Sequence, residues 1–323
     1  MPAEPTPPAR PGRAGTIWKL AVSAGLLALL AWTQDLSGVW RVFAAASPSW
    51  LLAATAVMFV EQTLTALTWG MLLAARGLKV RMRTILHIFY LSFFLGVWLP
   101  SSTGPDFVRT YYLARHVSGY EAVGSMLLLR FISLLGLGFF AVGGIYLVPS
   151  ESVSSELPAA AMLLAWFLVA GSSGALVVGF TERPRRWATA ILDAVGLRPL
   201  SRILGKLHDA LHAYRKSPGA LAGALAASLL VQFGRILTVY FAARALGATV
   251  PLRDFLVLVP VTALITLLPI SMAGFGVREG SFVYFFSRVG MAEPVAFGLG
   301  LLVFGLSLVL WAVGAVLYWR DRP

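Results

Sequence analysis

The sequence predicts an all-α integral membrane protein, with about six full transmembrane helices and two re-entrant helical hairpins in an inverted repeat. Three observations carry this fold class. Of 323 residues, 58% are hydrophobic and only 12% charged, against roughly 25% charged in an ordinary soluble domain, and the mean hydropathy is +0.80. The apolar residues fall in runs of roughly 20, enough to cross about 30 Å of hydrocarbon. Two shorter runs each stop at a proline in corresponding places, a pattern that marks interrupted membrane helices. The chain has no cysteine, which excludes a disulfide framework, a thiolate metal site and a cysteine nucleophile.

Residues 1–16 are Pro-rich and basic and are expected to form a disordered cytoplasmic leader. Ile17–Thr33 is the first span. It is read as retained rather than as a cleaved signal, because the small-residue site at Ala44–Ala46 lies far beyond the apolar stretch. Trp50–Ala75 is the second, with Trp50 and Trp69 placed as interfacial anchors. Glu121–Val148, Ala159–Phe180, Ala220–Leu246 and Pro294–Trp319 complete six crossings in one transmembrane domain, 17–319, followed by a short cytoplasmic tail, 320–323.

The two interrupted segments are 84–116 and 253–290. Thr84–Leu99 stops at Pro100 and is followed by the short piece Phe107–Ala114. Arg253–Leu268 stops at Pro269 and is followed by Val277–Phe286. Pro100, Gly104, Pro269, Gly274 and Gly276 are the expected hinges. At an offset of 169, Leu99, Pro100, Ser102, Val108 and Arg109 fall on Leu268, Pro269, Ser271, Val277 and Arg278, which suggests an internal repeat.

Charge orients the chain. With a cytoplasmic N-terminus and hairpins that return to their own side, the inside segments 1–19, 76–83, 109–116, 181–217 and 320–323 hold nineteen of the 26 Lys and Arg residues. The outside loop Pro149–Pro158 holds none. This is the positive-inside pattern of an inner (plasma) membrane protein with both termini cytoplasmic. It accounts for the net charge of +12 without a nucleic-acid partner. Three crossings separate the hairpins, so they enter from opposite faces, and the repeat is inverted.

Segment 183–216 is the main polar stretch. Leu200, Ile203, Leu204, Leu207, Leu211 and Tyr214 follow helical spacing, with Arg202, Lys206, Arg215 and Lys216 on other faces. It reads as an amphipathic helix on the anionic inner leaflet, or alternatively as a solvated linker helix.

The remaining charges are the candidates for function. Arg130 and Arg235 lie inside full spans, where an arginine costs roughly 2.5–3.5 kcal/mol on insertion scales. Arg235 shares a helix face with Gln232 and Ser228, and Arg130 with Ser133. Glu61 and Gln62 sit mid-span, and the hairpins add Asp106, Arg109, Arg278 and Glu279. One reading makes these a polar cavity: Arg109, Arg130, Arg235 and Arg278, with Gln232, Ser102 and Ser271, hold a phosphate head group. Backbone N–H groups near Phe107 and Val277 would help attract the anion, and Glu61, Asp106 and Glu279 would gate or couple. The other reading is structural: the charges pair with one another to hold helices together, and Glu61 is a packing residue.

Other motifs are weak. His208 and His212 stand four apart but lack the glutamate of a metalloprotease helix, there is no phosphate-binding P-loop, and no metal or cofactor is expected. The glycines of 136–144 and 298–314 suit close helix packing.

The stretch LPSSTGPDFVRTYYLAR, the LLLR ending at Arg130 and the stretch LPISMAGFGVREGSF resemble the lysylphosphatidylglycerol synthase transmembrane family, also called flippase-like domain proteins. The resemblance runs from about Trp50 to Trp319, and its most specific part is Gly274, Gly276, Arg278 and Glu279. Pro105 stands where the family usually has a second glycine before the aspartate, and Leu129 where it often has a glutamate. The resemblance implies translocation of a phospholipid or related amphiphile, without the soluble aminoacyl-transferase domain of the larger members and without enzymatic activity. Two rivals stand beside it. A membrane-embedded lipid-modifying transferase would want paired carboxylates beside an extramembrane loop. A scaffold for a lipid-biosynthesis partner would tolerate changes to the cavity charges but not to 183–216.

Overall fold

The computed structural model describes residues 36–99, 103–147, 159–268 and 274–320, with Val22, Gly25, Leu26, Leu29 and Trp32 before them. Among these residues every regular element is helical. The helices are α1 Leu36–Ala44, α2 Pro48–Ala75, α3 Met82–Gly96, α4 Gly104–Leu113, α5 Gly119–Leu147, α6 Ala159–Phe180, α7 Glu182–Ala194 and α8 Arg198–His212. After a 3-10 turn at Ala213–Lys216 come α9 Pro218–Ala245, α10 Leu252–Thr266, α11 Val277–Arg288 and α12 Glu293–Arg320.

Among the described residues, five helices are long and apolar enough to cross a membrane: Pro48–Ala75, Gly119–Tyr146, Met162–Phe180, Pro218–Ala245 and Glu293–Arg320. The chain is a multi-pass membrane protein. These five coincide with five of the six expected spans. The sixth, Ile17–Thr33, falls almost wholly outside the described residues, as do the leader, Pro100, Ser102, Pro269, Ser271, the loop 149–158 and the last three residues.

The order long helix, short helix, shorter helix, long helix occurs twice, as α2–α5 and as α9–α12. Both series open with proline in the first helical turn, at Pro48 and Pro218, where the missing N–H costs nothing. In both, the first helix stops at a left-handed glycine, Gly77 (φ 71°) and Gly247 (φ 82°). The next residue's N–H then reaches back, from Leu78 to the Leu73 carbonyl and from Ala248 to the Ala243 carbonyl, closing the helix end.

Packing repeats as well. The two opening helices, α2 and α9, lie against each other, α3 packs on α12, and α10 packs on α5, so the first helix of each short pair leans on the long closing helix of the other half, while α4 and α11 pack on the closing helix of their own. The Ser47 N–H donates to the Ala245 carbonyl at 2.9 Å, and the Ser217 hydroxyl donates to the Ala75 carbonyl at 3.3 Å. Helices α2 and α9 therefore run antiparallel, and the two series run in opposite senses. Small residues let the backbones approach: a Cβ on Gly136 would lie 2.4 Å from the Ser228 hydroxyl, and one on Gly314 would lie 2.7 Å from the Tyr90 carbonyl.

One end of the bundle collects three of the basic segments. Arg76 pairs with Glu121 at 2.7 Å, and the Lys206 ammonium lies 5.0 Å from the Tyr120 ring. The segment 183–216 is two helices, not the single one that its periodicity implied. The apolar spacing continues through residues 195–197, but the Leu197 N–H turns back to the Leu192 carbonyl at 2.8 Å and ends α7. Helix α8 packs on α5 and α6 and buries Ser201, Gly205, His208 and Ala210. Trp187, Ile191, Val195, Leu200 and Ile203 stay exposed.

Candidate functional site

Helix α4 starts at Gly104, three residues before the expected Phe107, because Pro105 in the first turn suits a helix start. A Cβ on Gly104 would lie 2.2 Å from the Gly96 carbonyl oxygen, so the end of α3 and the start of α4 touch through backbone. That contact aims Asp106 and Arg109 inward. Arg109 is 7% exposed and held on three sides: its Nε donates to Ser92 Oγ at 2.9 Å, its Nη1 to Asp106 Oδ1 at 3.1 Å, and its guanidinium lies 3.7 Å from the centre of the Phe89 ring. The other Asp106 oxygen accepts a hydrogen bond from Arg130 of α5.

Helix α9 supplies the opposite wall. Its Ser228 hydroxyl donates to the Ile132 carbonyl at 3.0 Å, and Gln232 Nε2 donates to the Ser133 carbonyl at 2.9 Å. Gln232 Oε1 accepts from Arg235 Nη1 at 3.2 Å. Together Asp106, Arg109, Arg130, Gln232 and Arg235 line a cavity of about 270 Å³, closed on its apolar side by Phe89, Phe93 and Leu134.

A second cavity, of about 260 Å³, lies against α10 and α11 and is lined by Arg235, Thr262, Thr266, Arg278 and Phe282. Arg235, Leu137 and Leu267 belong to the walls of both. The four expected arginines are thus brought along two adjoining cavities that meet at Arg235.

The second hairpin holds its charges differently. Gly276 has φ 81°, a left-handed turn that favours glycine. Its N–H donates to Glu279 Oε2 at 2.7 Å, while Glu279 Oε1 takes Arg278. Glu279 is 1% exposed and packs on Gly300 of α12. Of the N–H groups near the two breaks, that of Phe107 donates to the Thr103 carbonyl and that of Gly276 is capped by Glu279, so neither of these two is free to attract an anion.

Glu61 is 5% exposed and outside both cavity walls. Its Oε1 accepts from Gln62 at 3.2 Å, and among the described residues its Oε2 has no hydrogen-bond partner. It lies against Gly234 of α9, one residue from Arg235. Both local pairs of the structural reading, Asp106–Arg109 and Arg278–Glu279, are present.

The sequence reading missed Phe89, Ser92 and Phe93, which seat Arg109 from α3, and Thr262 and Thr266 of the second cavity. The first three were open to detection, since they share one face of α3 at helical spacing. His208 Nε2 lies 3.0 Å from the Thr181 carbonyl oxygen, and its ring stacks on His212 at 5.5 Å, which ties α8 to the end of α6.

In comparisons with known proteins, the family model described as "Lysylphosphatidylglycerol synthase TM region" matches residues 16–316. The comparisons with curated proteins and with solved structures returned no match.

Proposed function

Because the chain belongs to the lysylphosphatidylglycerol synthase TM family, we propose that it is a transporter, not an enzyme, and moves a phospholipid or related amphiphile between the leaflets of the inner membrane. The observation that carries this reading is the position of Arg235, in the walls of two cavities that hold Arg130 on one side and Arg278 on the other. A phosphate passing from one cavity to the other would exchange arginine partners in steps. It would never lie unpaired in low dielectric, where an unpaired charge costs several kcal/mol.

The antiparallel halves support alternating access, in which each hairpin opens the path to one face. In this reading Asp106 and Glu279 hold arginine charge when no substrate is present. Glu61, buried one helix face from Arg235, is the coupling group. The gathering of Arg76 and the α7–α8 segment at one end of the bundle supports cytoplasmic placement of that end. The exposed Trp187, Ile191, Leu200 and Ile203 beside Arg198 and Arg202 suit the anionic inner leaflet.

The test is a leaflet assay in proteoliposomes with a fluorescent phosphatidylglycerol. Arg235→Gln is expected to slow translocation by at least about tenfold, the factor set by 1.4 kcal/mol, while the protein still folds. Translocation at the unmodified rate by a folded Arg235→Gln protein would refute the reading. Conversion of the lipid to a modified product would favour the transferase.

A further inference from the structure

We infer that the substrate's acyl chains travel in a groove on the outside of the bundle, between α4 and α5, while its head group occupies the polar cavity. The occupant is then a membrane lipid whose phosphate stands at the junction of chain and head. This inference rests on the translocation reading and adds the route to it.

The groove holds about 310 Å³ and is walled by Phe107, Thr110, Val123 and Leu127, with Asp106 and Arg130 at its floor. Phe107 is 60% exposed and Val123 36% exposed, so the groove opens away from the bundle. Thr110 donates its hydroxyl to the Asp106 carbonyl at 2.8 Å, which leaves that wall effectively apolar. Asp106 and Arg130 are also in the wall of the polar cavity. The Asp106–Arg130 ion pair and Met126 therefore stand between an apolar channel facing outward and a basic cavity facing inward. An amphiphile fits across that boundary in one orientation only, with chains outside and phosphate inside.

Size alone does not select this groove. A larger crevice of about 430 Å³ lies between α5, α6 and α9, walled by Phe139, Trp166, Leu225 and Leu229. Among the described residues its wall has no charged side chain and shares no member with the polar cavity, so it offers no counterpart to Arg130 for a head group.

The ion pair also supplies the exchange. A phosphate oxygen arriving along the groove replaces the Asp106 oxygen on Arg130, one charge-assisted hydrogen bond for another. Asp106 keeps Arg109, which is fixed by Ser92 and Phe89. No bond is made or broken covalently, and no buried charge is left without a partner.

The test uses the full chain in nanodiscs containing phosphatidylglycerol with a photoactivatable diazirine on the acyl chain. Adducts mapped by mass spectrometry are expected on Phe107, Val123 and Leu127. Val123→Trp and Leu127→Trp, which fill the groove from its open side, are each expected to cut those adducts and the translocation rate on the order of tenfold. Leu225→Trp, in the other crevice, is expected to change neither. Thermal unfolding checks that each variant is folded, and either groove variant suffices if the other is not. Adducts spread evenly over Phe139, Leu163 and Phe167, as for annular lipid only, would overturn the inference. So would translocation that survives both groove variants yet is lost in Arg235→Gln, a result that leaves the transporter reading intact. Groove adducts that Val123→Trp removes, in a protein that moves no lipid, would uphold the groove and overturn the transporter.

Discussion

Asp106 and Arg130 form an ion pair across the seam between α4 and α5, and the same carboxylate holds Arg109 at 3.1 Å from its other oxygen. One acid thus binds two arginines from two helices, and the seam depends on it. Asp106→Asn should leave both arginines short of a counter-charge. Breaking a buried pair typically costs 3–5 kcal/mol, and because Arg130 is one-third exposed the expected loss is smaller, about 2–3 kcal/mol. It is read as a fall in thermal midpoint in detergent. The double variant Asp106→Asn/Arg130→Gln should recover part of that loss, since the orphaned charge goes with it. Strictly additive losses would show that the pair is incidental.

The first hairpin depends on the absence of two side chains. A Cβ on Gly104 would lie 2.2 Å from the Gly96 carbonyl oxygen, and one on Gly96 would lie 2.4 Å from the Pro105 nitrogen. The opposing atoms are backbone and have no rotamer to yield. Gly104→Ala is expected to destabilise by about 2–3 kcal/mol, the upper range for overpacking, and to disturb Arg109. Gly219→Ala, where a Cβ meets nothing within 4 Å, should be neutral. The two purified proteins are compared by thermal unfolding, and equal midpoints would mean that the hairpin turn tolerates a side chain.

Five of the six expected spans were legible because bulk hydropathy over 18 or more residues leaves few alternatives to a membrane helix. The repeat was suggested at the breaks by Pro100 and Pro269, which lie outside the described residues, and its structural statement lies elsewhere. Pro48 with Gly77 and Pro218 with Gly247 open and close matching helices, and single residues so far apart in sequence carry little weight until packing aligns them. Local pairs such as Asp106–Arg109 were legible, being three residues apart on one helix. The Asp106–Arg130 pair was not, because it depends on how α4 meets α5. Nor was the double membership of Arg235, which follows from α9 packing against both α5 and α10. The break in α7–α8 was carried by Gly196, at φ 81°, and by Pro199 in the first turn of α8, stop and start signals that a reading by apolar spacing alone passes over.

Glu279 performs two tasks that substitution can separate. Its Oε2 caps the Gly276 N–H at 2.7 Å, and its Oε1 neutralises Arg278. Glu279→Gln keeps an acceptor of the same shape for the cap but removes the charge. Glu279→Ala removes both and opens space against Gly300. The alanine variant is expected to lose about 2–4 kcal/mol and the glutamine variant roughly half of that, by thermal unfolding. Identical losses would assign the whole effect to charge and none to the cap.

The α7–α8 segment makes the last prediction, and the cysteine-free sequence makes it accessible. On α7, Trp187, Ile191 and Val195 recur every four residues and are exposed, while Asp193 lies on the opposite side of the helix, about 200° away at 100° per residue. A helix that follows a membrane span after one residue, Thr181, starts at the bilayer surface. It gains roughly 25 cal/mol for each Å² of apolar surface that it removes from water. Its apolar face should therefore lie in the acyl boundary and its Asp193 face in water. With a spin label on Ile191→Cys, collisions with oxygen, which concentrates in the bilayer, should outweigh collisions with a water-soluble nickel chelate. With the label on Asp193→Cys the order should reverse. The contrast should sharpen as phosphatidylglycerol replaces neutral lipid, because Arg198 and Arg202 on α8 are drawn to the anionic surface at about 1 kcal/mol each. Equal accessibility at the two positions would place α7 in water and leave its exposed tryptophan and isoleucine to a protein partner.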